Sequence, residues 1–141
     1  MLANSDNIKF AGDYNLPSIH IHSHSNTGFT NEEDGVNIQS LVAEMNIFEG
    51  INKNSVTGTL VILDSINLIG NLPIQGTERL SFKLSTPGAH EFGHIIDCSE
   101  ETGHPMHVYK LTDKKQLNEG TCSYVLHFCS REFLRNLRTK V

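Results

Sequence analysis

The sequence is poor in the residues that crosslink or rigidify small proteins. Its 141 residues include no tryptophan, four prolines and three cysteines. Cys98, Cys122 and Cys129 are an odd number without a Cys-x-x-Cys pair, which excludes a disulfide framework and a cysteine zinc knuckle. We therefore expect three reduced thiols that pack as small apolar side chains.

Long apolar runs and an excess of basic residues are also missing. No run approaches the roughly 18 apolar residues of a membrane-spanning helix. The N-terminus MLANSDNIKF has no apolar core of the kind that a secretory signal needs. The formal charge of -5 gives no basic footprint for nucleic acid. The sequence thus predicts a cytoplasmic protein with neither a membrane nor a nucleic-acid partner.

The length and the 38% hydrophobic content fit about one domain. We interpret residues 1–35 as an N-terminal strand and an acidic loop, and residues 36–141 as the main domain. The expected fold class is mainly β with short helices.

Alternation of apolar and polar residues predicts most of the strands. Residues 78–86 and 120–130 alternate clearly, and residues 104–113 are strand-like. Residues 55–65 are rich in β-branched side chains and predict a central strand that is buried on both faces. Residues 36–55 fit a helix and a strand equally well, so their structure stays open.

Two helices and one connection complete the predicted elements. Asp64 or Ser65 can cap a short helix that ends at Gly70. Residues 113–120 predict a polar connection between two strands. Residues 131–141 predict an amphipathic helix with one apolar stripe under a basic face.

The segment HEFGH reproduces the His-Glu-x-x-His pattern of zinc peptidases. On a helix, His90 and His94 would share one face and could bind one Zn²⁺, while Glu91 would activate a bound water as the general base. The pattern therefore indicates a possible metallopeptidase, provided that the chain supplies a third ligand.

No third ligand lies in a familiar frame. A metzincin has Gly and His where this chain has Asp97 and Glu100. A gluzincin needs a glutamate on a following helix, and Glu119 lies instead before a segment with strand alternation. His104 and His107 are further candidates without a defined spacing. The zinc peptidase, with ligands His90, His94 and Glu119, therefore remains the alternative interpretation.

Three histidines near the N-terminus alternate along a predicted strand. His20, His22 and His24 would lie on one face, which is a possible metal site. No acidic or cysteine partner is close in sequence, so a polar, solvent-facing strand surface explains them better.

Several short segments follow one another in the order found in a known protein family. They are Thr57-Gly58, Asp64-Ser65, Pro73 to Gly76, Glu78 to Leu80, Thr86-Pro87, Tyr109-Lys110-Leu111, and Phe128 to Glu132. Through these segments residues 44–141 resemble the N-terminal barrel domain of baseplate hub proteins from contractile-tailed bacteriophages.

This resemblance implies a small antiparallel β-barrel followed by an amphipathic C-terminal helix. It implies a structural virion protein without enzymatic activity or cofactor, assembled in the host cytoplasm and located in the tail baseplate. The expected partners are other copies of the chain in a ring, a trimer by the resemblance, together with tail tube and spike proteins. The family's proteins are several times longer, so the resemblance makes this chain the front part of a longer protein. HEFGH falls in a loop that varies in the family, and we expect it to bind no metal.

Overall fold

The computed structural model describes residues 10–23, 35–72, 74–87, 95–101 and 104–139. The described chain forms one antiparallel sheet of eight strands with few helices. The predicted mainly β fold with short helices is thereby confirmed.

The elements follow the chain in a simple order. The strands are β1 Ile19–His22, β2 Val36–Asn37, β3 Val42–Phe48, β4 Thr57–Asp64, β5 Arg79–Ser85, β6 Ile95–Asp97, β7 Met106–Asn118 and β8 Thr121–Cys129. The helices are a 3-10 turn at Gln39–Leu41, α1 Leu68–Asn71 and α2 Arg131–Arg138. The segment that sequence periodicity left open is therefore a short 3-10 turn followed by a strand.

The sheet is open, whereas the resemblance implied a closed barrel. Its strand order is β2-β1-β5-β7-β8-β4-β3, and β6 pairs with the end of β5. Closure would require the two terminal strands, β2 and β3, to pair with each other. β2 has two residues and β3 has seven, so β2 is too short to pair with most of β3. Because β1 pairs with β5, residues on both sides of position 35 share this sheet.

The hairpin of β7 and β8 is longer than the sequence predicted. Residues 113–120 were expected to be a connection, yet β7 continues to Asn118 and the turn is formed by Glu119 and Gly120. The Gly120 amide donates to the side-chain oxygen of Asn118 at 2.9 Å, which stabilises the turn. The last part of β7 is exposed, so its polar sequence carries no apolar alternation to mark it as a strand.

The core lies on one side of the central strands. Leu60 and Ile62 of β4, with Leu126 and Phe128 of β8, are fully buried. The rings of Phe128 and Phe82 meet edge to face, with their centroids 6.0 Å apart. Residues 55–65 contain a central strand, as predicted, since β4 lies between β8 and β3. Burial of both faces was wrongly predicted, because Leu63 on the outer face is 41% exposed.

The buried carboxylate of Asp64 holds the start of α1. It accepts hydrogen bonds from the backbone amides of Ile66, Leu68 and Ile69 at 3.1, 2.9 and 3.3 Å. The Tyr124 hydroxyl donates to the same carboxylate at 3.3 Å. The predicted helix cap is therefore Asp64, and it also ties the helix to β8.

A second buried carboxylate, that of Glu78, closes the turn before β5. It accepts the amides of Gln75, Gly76 and Thr77 at 2.7, 2.9 and 3.1 Å. Three backbone donors are satisfied by one side chain that is 2% exposed. Glu78 thus acts as an internal backbone partner, which fixes the direction in which the chain enters β5.

Helix α2 is attached to the sheet through Ser130, the residue that precedes it. The Ser130 amide donates to the carbonyl of Val56 at 2.8 Å, and the Val56 amide donates to the Ser130 hydroxyl at 3.1 Å. Phe133 stacks on Tyr109 with ring centroids 5.5 Å apart, whereas Leu137 stays 66% exposed. The predicted amphipathic helix is confirmed, and the outer part of its apolar stripe remains uncovered.

Candidate functional site

The zinc motif predicted from sequence lies outside the described residues. This applies to His90, Glu91 and His94 alike, so their geometry is not part of the structure described here. Glu119, the candidate third ligand, is exposed in the turn between β7 and β8. A gluzincin would need that residue on a helix, and the structure places it between two strands instead.

The other candidate ligands are dispersed over different elements. His104 is exposed before β7, and His107 lies in β7 opposite Arg79 of β5. The pKa of Asp97 is lowered by hydrogen bonds from the side chain and amide of Ser99. Within the described ranges, no three His, Cys, Asp or Glu side chains converge on a point that could hold a metal ion.

The N-terminal histidines differ from the predicted solvent-facing row. His20 is half-buried and His22 is 7% exposed, with their ring centroids 6.5 Å apart. His24 lies outside the described residues. The His22 ring nitrogen Nε2 shares a hydrogen bond of 2.9 Å with the Ser81 hydroxyl of the neighbouring strand. His22 therefore packs into the sheet, which the alternation of β1 alone did not indicate.

His22 belongs to a polar cluster that sequence reasoning missed. Its Nε2 lies 3.9 Å from the Glu100 carboxylate. That carboxylate also accepts a hydrogen bond from Arg79 Nε at 2.7 Å. A Ser-His-acid triad would use both ring nitrogens of the histidine, with an accessible serine. Here Ser81 is buried and approaches the same nitrogen as Glu100. We therefore interpret the cluster as a set of polar contacts that holds β1, β5 and the segment after β6 together. Its geometry does not fit a nucleophilic site.

No sequence signal could have found this cluster, because its members are far apart in the chain. His22 and Ser81 are 59 positions apart.

Gly35 packs closely against the imidazole of His22. A methyl group on Gly35 would approach His22 Nδ1 to 2.7 Å, so the glycine is required by close contact as well as by its positive φ of 77°.

The pKa of His107 is lowered in the fold, which makes the stability of the protein depend on pH. The pKa is lowered by burial first, and then by Arg79 and Arg131, against the opposing effect of Glu100 and Glu132. The unfolded chain takes up a proton near pH 6.5, which the folded chain resists. The contribution of His107 to stability is therefore present above about pH 6.5 and is lost as the pH falls below that value.

We predict that His107→Asn flattens this dependence. Urea unfolding at pH 7.5 and pH 5 should show a smaller loss of unfolding free energy in the variant than in the unmodified chain. An equal loss in both proteins would contradict a role for His107.

Two of the three cysteines, Cys98 and Cys129, are poorly suited to a reactive site. All three are free, and burial raises the pKa of Cys98 and of Cys129 to about 11. A thiol with such a pKa is almost entirely protonated at neutral pH and is a poor nucleophile.

An apolar groove runs along the inner side of the edge strand β3. Its volume is about 600 Å³. It is bounded by β3 on one side and by residues near β1, β5 and β6 on the other, among them Tyr14, Leu16, Met45, Ile47, Leu84 and Ile96. The groove occupies part of the opening that a closed barrel would fill with paired strands.

The exposed apolar side chains near β3 add to this surface. Phe48, the last residue of β3, is 49% exposed, and Ile51 in the following turn is fully exposed. Single exposed apolar residues are common. Here they lie at the end of a strand that has one free edge and an apolar groove beside it. The β3 edge is therefore the described region best suited to contact another protein.

Comparisons with known proteins give no relative for this chain. It matches no protein-family model, no curated protein sequence and no solved structure. In the part of the chain that the structure describes, no helix is long and apolar enough to cross a membrane.

Proposed function

We propose that this chain is a structural protein of a phage tail baseplate hub, which links the tail tube to the central spike by associating with copies of itself. One observation carries the proposal. Four of the seven segments that resemble the hub family contain a residue that lets two strands pack, caps a helix, closes a turn or joins α2 to the sheet. Such contacts stabilise a fold, so a structural domain would contain these residues in the order in which its strands, turns and helices follow along the chain.

Four of these segments make specific contacts. Gly58 lets Phe128 pack directly on β4, because a methyl group there would approach the Phe128 ring to 2.3 Å. Asp64 caps α1 and binds Tyr124. Glu78 closes the turn before β5. Ser130 joins the start of α2 to β4, as described above.

Chemistry-bearing side chains in the described regions serve the fold. Asp64 and Glu78 are buried and bound to backbone amides. Ser81 is buried against His22, and two of the thiols have raised pKa values. This pattern supports a structural role over a catalytic one.

Self-association is supported by surfaces other than those expected from sequence. Residues 55–65 and 120–130 were expected to supply strands for pairing between copies. Both observed strands, β4 and β8, lie inside the sheet and have neighbours on each side. In the described part of the chain, nothing pairs with the outer edge of the seven-residue strand β3, and Leu137 of α2 is 66% exposed.

The mass of the native assembly tests this proposal. Light scattering after size exclusion, over a range of protein concentrations, should show a closed assembly of at least three copies of the 15.7 kDa chain. A species of 15.7 kDa at every concentration would contradict a hub. Stoichiometric zinc in the purified protein that is lost in His94→Ala would favour the zinc metallopeptidase instead.

A further inference from the structure

We infer that the free edge of β3 pairs, in antiparallel orientation, with the β3 edge of a second copy of this chain, around a two-fold axis at Asn46. The inference rests on the proposed self-association and names the surface and partner for one of its contacts. It adds a pairwise contact to the ring that the hub proposal requires.

The β3 edge carries few of the features that prevent strands from pairing. Among the residues that the structure describes, its one strand partner is β4, and residues 42–48 contain no proline, lysine or arginine. One register shift lies between Val42 and Glu44. From Glu44 to Phe48 the strand pairs regularly with β4, so its other edge presents a straight ladder over five residues.

The sequence of this regular part suits pairing with itself. With Asn46 on the axis, Met45 of each copy lies opposite Ile47 of the other, and both side chains pack against the core on the groove side. Asn46 lies opposite Asn46 of the second copy. Its Nδ2 donates to Glu44 Oε1 at 2.7 Å within the chain, and its Oδ1 is an acceptor. Each exposed Glu44 lies opposite an exposed Phe48.

The single charge of the edge favours this register. With the axis at Asn46, the two Glu44 residues lie about 14 Å apart along the strand, which exceeds the Debye length of about 8 Å at physiological salt. An axis at Glu44 would oppose two carboxylates directly, which destabilises a sheet. An axis at Met45 would require Ala43, within the register shift, to pair with Ile47.

The other end of the sheet cannot provide an equal partner. β2 has two residues, Val36 and Asn37, whereas β3 has seven, so a pair of β2 with β3 would form a short ladder. Pairing of β3 with β3 therefore satisfies more backbone groups than pairing of β3 with β2. Because such a contact is isologous, it joins copies two at a time.

The expected affinity of this contact alone is modest. Five paired residues span about 17 Å, and the contact is smaller than the roughly 800 Å² per partner of a standard interface. We therefore expect a dissociation constant in the micromolar range, with a mass that rises with concentration.

Disulfide crosslinking tests the pairing directly. Residues opposite each other in an antiparallel pair have Cα atoms about 4.5–5.5 Å apart, within the range of a disulfide. Asn46→Cys should therefore form a disulfide-linked dimer when a copper-phenanthroline oxidant is added. Leu117→Cys, exposed in the β7–β8 hairpin, serves as the matched control, and the unmodified chain gives the background of its three native thiols.

A mixing experiment fixes the register and does not require a change at Asn46. Glu44→Cys and Phe48→Cys should crosslink to each other when the two proteins are mixed, and neither should crosslink alone. Both positions are exposed, so these variants are expected to fold. Absence of crosslinks in the mixture and in Asn46→Cys, or equal crosslinking of Leu117→Cys, would overturn the inference.

The assembly mass separates this inference from the proposed function. An even number of four or more copies, such as two trimeric rings joined through β3, agrees with both. A dimer that crosslinks through β3 supports the β3 contact and overturns the hub proposal. A trimer that forms no crosslink through β3 would overturn the β3 contact and leave the hub proposal standing. A monomer at every concentration would overturn both.

Discussion

Asp64→Ala should lower the free energy of unfolding by about 3–5 kcal/mol. The change removes a buried carboxylate that accepts three backbone amides at the start of α1 and the hydroxyl of Tyr124. Hydrogen bonds to a charged group contribute about 1.5–3 kcal/mol each. Without the carboxylate the buried Leu68 amide would lose its partner, whereas the amides of Ile66 and Ile69 are only part-buried. Because α1 has only four residues, its local unfolding limits the loss.

Two further variants give this measurement its meaning. Asp64→Asn keeps one oxygen acceptor in place and should lose less than half as much free energy. Glu49→Ala removes an exposed carboxylate and should change stability by about 0.5 kcal/mol or less. Chemical denaturation of the three variants provides the comparison. Similar values for Asp64→Ala and Glu49→Ala would show that the Asp64 hydrogen bonds do not stabilise the fold.

Sequence periodicity predicted the strands whose two faces differ. In β8, Tyr124, Leu126 and Phe128 alternate with less buried neighbours, and burial of alternate residues is what period-two patterning reports. The helix cap at Asp64 was also predicted, because capping depends on residues close in sequence. These features are local, so the residues that determine them lie within a few positions of each other.

Features that depend on pairing between distant strands were not predicted. Nothing in the composition of β2 shows that only two of its residues pair, and this shortness helps to leave the sheet open. The polar end of β7 pairs with β8 although it has no apolar face. His22 is buried by Ser81 of β5, a contact that only the strand order creates.

The candidate assembly edge shows the same limit. Residues 36–55 fitted a helix and a strand equally, because Leu41 and Met45 suit both periods. Its identity as a strand, and its position at the end of the sheet, follow from pairing with β4. The sequence thus contained the complementary residues of β3, but their exposure on a free edge required the fold.

Gly58 lies between the buried Phe128 ring and the β3 edge, so its replacement should affect both. A methyl group at Gly58 would lie 2.3 Å from the Phe128 ring and 2.4 Å from the backbone oxygen of Asn46. In an unobstructed strand, Gly→Ala stabilises by roughly 0.5–1 kcal/mol. At this site overpacking against a fully buried ring and a backbone atom reverses the sign, and we expect a loss of about 3 kcal/mol. Gly120→Ala, which meets only the Asn118 side chain at 3.9 Å, is the matched control.

The direction of the Gly58 clash gives a second measurable effect. Phe128 is enclosed by the core, so the strand with more freedom to move is β3, which has a neighbour on one side only. Displacement of the Asn46 backbone would disturb the ladder offered to a second copy. We therefore expect Gly58→Ala, introduced into the Asn46→Cys protein, to reduce disulfide-linked dimer together with stability, as measured by non-reducing electrophoresis and denaturation. Lower stability with undiminished crosslinking would show that the core, and not the β3 edge, absorbs the added methyl group.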